Sequence, residues 1–250
     1  MSATKSKNYV FACLLTGIFD VNRNELIADD NFEVVQKWYN SMVDLKLNAV
    51  LFHNSFSDET VSKFENEYVK FEKVVQNDSF NPNINRYFVY QDYITNHQAE
   101  INNLFLTDIS DVTVILNPFE HNYFKANKNK IFCGDENKIL NNDWMHDHCL
   151  HLRNEITNFV AFEVENQDKT LLNCGVIGGS KTIILELLNK ITSLHQNYSL
   201  SNKTPFTLDM GVFNYVMYTF FQNQFLHGNP INTVFKNYET NRNDCWFCHK

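Results

Sequence analysis

The stretch LFLTDISDVTVILNPF, residues 104–119, carries an apolar run into two aspartates, Asp108 and Asp111, and then into a second apolar run. Short apolar runs bounded by polar turn residues read as buried strands. The chain before it repeats the pattern. Residues 8–15 (NYVFACLL), 48–53 (NAVLFH) and 103–107 (NLFLT) read as buried strands, and 70–75 as a short one. Between them, 31–46 sets Val34, Val35, Trp38, Met42 and Leu45 at helical spacing, and 58–69 and 84–99 read as helices. Strand and helix in alternation predict an α/β fold on a mixed, mainly parallel sheet flanked by helices. Ligands of such sheets bind beyond the carboxyl ends of the strands. The segments to inspect are therefore Thr16 to Arg23, with Asp20 between them, then His53-Asn54, then Asp108 to Asp111.

Two carboxylates bracketing a tight turn can face one hard cation from the same side. Mg2+ or Mn2+ takes oxygen ligands and keeps positions open for phosphates. The same letters also make an ordinary solvated aspartate turn. Further on, LLNCGVIGGSKTIILELL (171–188) gathers Gly175, Gly178 and Gly179, three of only seven glycines, ahead of a helical run. Glycine lets backbone approach a bulky ligand or another strand, and equally marks a β-bulge. TPFTLDMGVFNYVMYTFF (204–221) sets Asp209 at the start of an amphipathic helix, where an acid also serves the helix dipole.

The terminal Cys245-Trp-Phe-Cys248-His249 has the spacing of a c-type haem attachment, and the same residues occur in zinc and dithiol sites. No second C-x-x-C answers it to complete four zinc ligands. The beginning of the chain reads as a first strand and not as a signal peptide. Six scattered cysteines then suggest reduced cytosolic thiols. The two tail cysteines read as incidental residues of a final strand. Net charge is −8, which argues against broad binding to nucleic acid, and no run approaches the length of a transmembrane helix. The histidines His146, His148 and His151 of NNDWMHDHCLH could bind zinc, but no partner set stands near them in sequence. Together with Gly134-Asp-Glu136 that segment reads as an acceptor-side loop, in which Trp144 is a candidate for stacking on a sugar or for core packing.

Taken in order, these segments resemble a nucleotide-sugar-dependent glycosyltransferase of the A-type (GT-A) fold, similar to the glycogenin-like retaining enzymes and to chlorovirus capsid-glycan glycosyltransferase domains. FLTDISDV stands where the family has its acidic D-x-D turn, here D-I-S-D. LNCGVIGG resembles the segment lining the sugar pocket. DMGVFN resembles the acceptor-side D-Q-x-x-x-N, with Met210 in place of glutamine. His249-Lys250 resembles the late histidine and lysine of the metal and diphosphate site.

The resemblance implies a single Rossmann-like domain over residues 1–250, with a nucleotide-binding part to about 115 and an acceptor-side part from about 116. It implies a hexosyl- or deoxyhexosyltransferase, and the cysteine usage places it in the cytoplasm. The enzyme would move a sugar from a nucleoside diphosphate donor, UDP favoured, to a glycan or other hydroxyl acceptor, with retention. Asp108, Asp111 and His249 would hold Mn2+ or Mg2+. Thr16, Asp20, Arg23 and His53 would face base and ribose. Arg86, with Tyr90 one turn on, would contact donor phosphate or ribose, and Lys250 the diphosphate. Asn173, Gly175, Gly178 and Asp209 would line the sugar, Asp209 orienting hydroxyls or acting as base. The alternatives are a metal-dependent phosphohydrolase, which wants more carboxylates for a two-metal site, and a silent nucleotide-sugar-binding module.

Overall fold

A computed structural model describes residues 6–17, 19–20, 25–197, 208–239 and 241–250. The chain opens with β1 (Lys7–Leu14), the two short strands β2 (Phe19–Asp20) and β3 (Glu25–Leu26), α1 (Gln36–Asp44), β4 (Ala49–His53), α2 (Asp58–Phe64), β5 (Val69–Lys73) and α3 (Pro82–Asn96). It continues through β6 (Ile101–Thr107), β7 (Val112–Val114), α4 (Asn122–Ala126), β8 (Ile131–Ile139), α5 (Asp143–His148), α6 (Leu150–Glu155) and α7 (Phe159–Asn166). It closes with β9 (Thr170–Ser180), α8 (Lys181–Asn197), α9 (Asp209–Phe220), β10 (Phe225–His227) and β11 (Phe247–His249).

Seven strands form one sheet in the order β10-β8-β9-β6-β1-β4-β5. Every neighbouring pair is parallel except the two made by β9, which runs against both β6 and β8. The sheet is thus mixed and mainly parallel, as expected. One buried cluster packs α3, α8 and α9 on one face. A second packs α1, α4 and the C-terminal segment on the other, with Trp38 and Trp246 both fully buried.

Several boundaries differ from the sequence reading for local reasons. The helix expected over 58–69 ends at Phe64, because the Asn66 side chain accepts from the N–H groups of Tyr68 and Val69 (2.8 and 3.1 Å) and turns the chain into β5. The helix expected from residue 84 starts at Pro82, capped by Asn81, whose Oδ1 accepts from Ile84 N at 3.1 Å. Proline at the first turn lacks only an N–H that would be unpaired anyway. The stretch 141–151, expected as a loop, forms α5 and the start of α6.

Two features of the sheet position the site. The second apolar run of the opening stretch does not enter the main sheet. As β7 it pairs antiparallel with β11, setting His249 opposite Val112. The glycine cluster lies inside β9, not in a turn. There the register with β8 jumps from Ile177↔Cys133 to Asn173↔Gly134, so Cys174, Gly175 and Val176 bulge out of the ladder. A bulge of this kind re-aims the backbone, and here it turns Gly175 towards the acidic turn.

Candidate metal centre and substrate cleft

Strand β6 ends where Asp108 N donates to Gly175 O at 2.8 Å, and the chain turns through Ser110 and Asp111 into β7. Lys250 N donates to Asp111 O at 3.1 Å, which extends the β7–β11 pairing across the turn. His249 is clamped by Thr233: its N–H donates to Thr233 Oγ1 at 2.9 Å and its carbonyl accepts from the same hydroxyl at 3.2 Å. The ring packs on Phe235, centroids 4.5 Å apart.

From that position His249 Nε2 lies 3.8 Å from Asp108 Oδ2 and 3.7 Å from Asp111 Oδ2. The three side chains offer ligand atoms within 4.8 Å of one another and are the group among the described residues that can hold a metal ion. His249 is 1 % exposed, and neither ring nitrogen has a hydrogen-bond partner. Buried polar atoms without partners are costly and rare, whereas an imidazole and two carboxylates facing one point suit Mn2+ or a similar borderline-to-hard cation.

Gly175 makes the convergence possible. A Cβ there would stand 2.7 Å from Asp108 Oδ2 and 2.9 Å from His249 Nε2, and would meet His249 Cε1 closer still. The other tail residues take no part. Cys245 and Cys248 are buried and unpaired, and so are Cys133, Cys149 and Cys174.

A second layer fixes the cluster. Arg86 of α3, 8 % exposed, pairs through Nη1 with Asp108 Oδ1, while its Nη2 lies 3.5 Å from Asp209 Oδ2. Burial works against the guanidinium charge, but Asp108 and its other neighbours outweigh it and hold the Arg86 pKa above its ordinary value. Asp209, the first residue of α9, is buried with Oδ1 unpartnered. Burial lifts its pKa above the usual carboxylate range, with Arg86 opposing and Asp108 reinforcing the shift. Asn173 links Gly175 N (2.7 Å, accepted by Oδ1) to Glu136 Oε1 (3.0 Å, donated by Nδ2). Asn214 holds α9 to β9 by exchanging hydrogen bonds with both Leu172 N and Leu172 O at 2.9 Å.

These groups open on a cleft of about 640 Å3. The structure brings Asp108, Asp111, His249, Arg86, Asn173 and Asp209 to its wall. It sets the remaining expected residues elsewhere. Thr16 is buried at the end of β1, its hydroxyl donating to Asp29 Oδ1 at 2.5 Å. His53 is buried at the neighbouring end of β4, where Nδ1 accepts from Phe56 N at 3.1 Å. Tyr90 is in the core against Phe11 and Phe52. Gly178 lies under the Phe105 ring. The Lys250 amine lies close to that of Lys37 of α1, and the proximity of the two amines lowers the Lys37 pKa. Arg23 lies outside the described residues, as does the side chain of Asp20. The cleft wall also includes Cys174, Phe235 and Lys236, which the sequence reading did not single out. The zinc alternative at His146, His148 and His151 finds no such cluster among the described residues.

No family model and no curated protein sequence matches the chain. A solved structure does: a glycosyltransferase involved in the glycosylation of the major capsid of PBCV-1. The match covers 97 % of this chain and 92 % of that one, with a TM-score of 0.51 at 11 % sequence identity. The fold is therefore of the A-type seen in glycosyltransferases, a mixed, mainly parallel sheet flanked by helices in one α/β domain. Among the described residues no helix is long and apolar enough to cross a membrane.

Proposed function

We propose that this chain is a metal-dependent glycosyltransferase that moves a sugar from a nucleoside diphosphate donor, with UDP favoured, onto a glycan or other hydroxyl acceptor. The buried imidazole of His249 carries the reading. Both its nitrogens lack partners, and it faces two aspartates across a position that Gly175 alone keeps clear. Asp108, Asp111 and His249 would hold Mn2+ or Mg2+, which when bound supplies Lewis-acid neutralisation of the departing diphosphate.

The chain's own groups do the rest. Arg86 orients Asp108 through one nitrogen and leaves its Oδ2 facing His249. Lys250, held beside Asp111 by its backbone, is assigned to the diphosphate side. Residues 1–115, which bring Leu14, Leu15 and Ile27 to the cleft wall, form the nucleotide side, and 116–250 the acceptor side. Asn173 and Asp209 position the transferred sugar. Retention fits a carboxylate that is 5 % exposed and engaged with Arg86 and Cys174. Enclosed in this way, Asp209 is placed to hold hydroxyls of the bound sugar rather than to reach an incoming acceptor.

The test is a thermal-shift screen of UDP- and GDP-sugars with and without manganese. At least one nucleotide sugar raises the melting temperature only when the metal is present. A screen in which no nucleotide sugar acts with metal overturns the reading.

A further inference from the structure

We infer that the acceptor is itself a saccharide, and that a pyranose ring of it docks on the Trp144–His148 pair with its hydroxyls directed to Glu136. The inference rests on the transfer reading above and names the substrate class of its acceptor half.

The observations begin with α5. Asn142 caps it, accepting from Met145 N at 3.0 Å, and Met145 is buried against the core. That anchoring turns Trp144 and His148, one helical turn apart, to the cleft wall. Their rings stack with centroids 3.8 Å apart and planes at 18°. His148 Nδ1 lies 2.8 Å from Trp144 O, which fixes the pair as a unit. Trp144 is 37 % exposed, whereas the chain's other two tryptophans, Trp38 and Trp246, are fully buried. Trp144 presents an exposed indole to a cleft whose wall also carries the polar side chains of Glu136, Lys138 and Asn173. The ring of a pyranose presents C–H groups on one face, which lie over an aromatic surface, and hydroxyls at its edge.

The edge is provided for by β8. Glu136 and Lys138, two residues apart on one strand face, both line the cleft. Glu136 Oε1 is held by Asn173 Nδ2 at 3.0 Å, and Oε2 lies 3.9 Å from Lys138 Nζ. The carboxylate is thus oriented, and keeps lone pairs for sugar hydroxyls. The Asn173 bond links it directly to Gly175 beside the metal cluster. Platform, carboxylate and cluster all line the one cleft, and the two Asn173 bonds set the carboxylate beside the cluster. A small alcohol would leave the aromatic pair idle.

The experiment uses Trp144 as its own probe, since the other two tryptophans are buried. Methyl pyranosides and short oligosaccharides are titrated against intrinsic fluorescence and acrylamide quenching. A saturable change with protection of the exposed ring is expected, shifted to several-fold higher concentration in Glu136→Gln. In the transfer assay, Trp144→Ala raises the acceptor KM about tenfold, and Trp144→Phe restores most of it. If no saccharide alters Trp144 emission, or Trp144→Ala keeps the wild-type KM, the acceptor assignment is overturned. Donor-and-metal stabilisation of the wild-type protein is read separately. Its presence in that case leaves the transferase reading standing, and its absence removes both.

Discussion

At the residue scale, the candidate centre depends on one missing methyl group. Gly175 keeps ordinary space from closing between Asp108 and His249, and neither partner can retreat. The aspartate is paired to Arg86, and the histidine backbone is clamped by Thr233. Gly175→Ala is therefore expected to weaken manganese binding by roughly 100-fold, the upper range for losing support of a metal ligand. Isothermal titration with MnCl2 measures this, and unchanged affinity would show that the cluster is not the metal site. His53 carries a different prediction. Its neutral Nδ1 accepts from Phe56 N, and burial first, then Lys73, holds its pKa below the usual histidine value. The folded state thus binds a proton less readily than the unfolded chain. Stability is fully present above the unfolded value of about 6.5 and is lost as pH falls towards the lower folded value. The wild-type melting temperature should drop between about pH 7.5 and about pH 5 more steeply than that of His53→Asn, whose amide oxygen can still accept from Phe56. Equal slopes would remove His53 as the cause.

At the element scale, β9 does two separate jobs, one within its bulge and one beyond it, and two glycines divide them. Gly175 faces the acidic turn, while Gly178 sits opposite Phe105 in the β6 ladder, where a Cβ would enter the ring. Gly178→Ala is an overpacking substitution costing about 1–3 kcal/mol. For a chain of this size that lowers the melting temperature by about 2–12 °C. Manganese affinity should stay near wild type, the reverse of the Gly175 variant, and calorimetry with metal titration on both separates the two roles. The sequence showed that close approach was needed somewhere in LNCGVIGG, but not which glycine served what. The bulge is a register difference against β8, and register between distant strands leaves no mark in a single strand's periodicity. The parallel half of the sheet was legible for the opposite reason. β1, β4 and β6 are buried over most of their length on both faces and read as near-continuous apolar runs separated by helices, while β5, at the sheet edge, alternates buried Val69 and Phe71 with exposed lysines. The reversed direction of β9 was hidden, since an apolar run has no polarity of its own. Asp108 and Asp111 could be proposed from their spacing, whereas His249 came only through family resemblance. Phe235 and Lys236 went unnoticed because a single aromatic–lysine pair in a loop forms no pattern.

At the scale of the whole molecule, the centre joins segments that are remote in sequence. The β7–β11 pair is the joint: it draws the last residues onto the turn after β6, and Trp246 secures them by packing on Phe105, Phe124 and Phe132. A cation held by Asp108, Asp111 and His249 would cross-link the acidic turn to this C-terminal strand. It would bind the folded chain and not the unfolded one, so it should stabilise the fold by mass action. At a hundredfold excess over Kd the gain is about 2.7 kcal/mol, or about 5–11 °C for a chain of this length. His249→Ala should abolish the manganese-dependent rise while lowering the metal-free melting temperature less than Trp246→Ala does, because the imidazole nitrogens have no hydrogen bonds to lose and only the packing of a small ring on Phe235 is removed. Trp246→Ala should behave in the opposite way, losing about 3–5 kcal/mol without metal, as a deleted core aromatic does. Differential scanning calorimetry of the three proteins, with manganese and with chelator, distinguishes the roles. A full manganese-dependent rise in His249→Ala would separate the C-terminal strand from the metal site and leave its junction with the acidic turn a matter of packing alone.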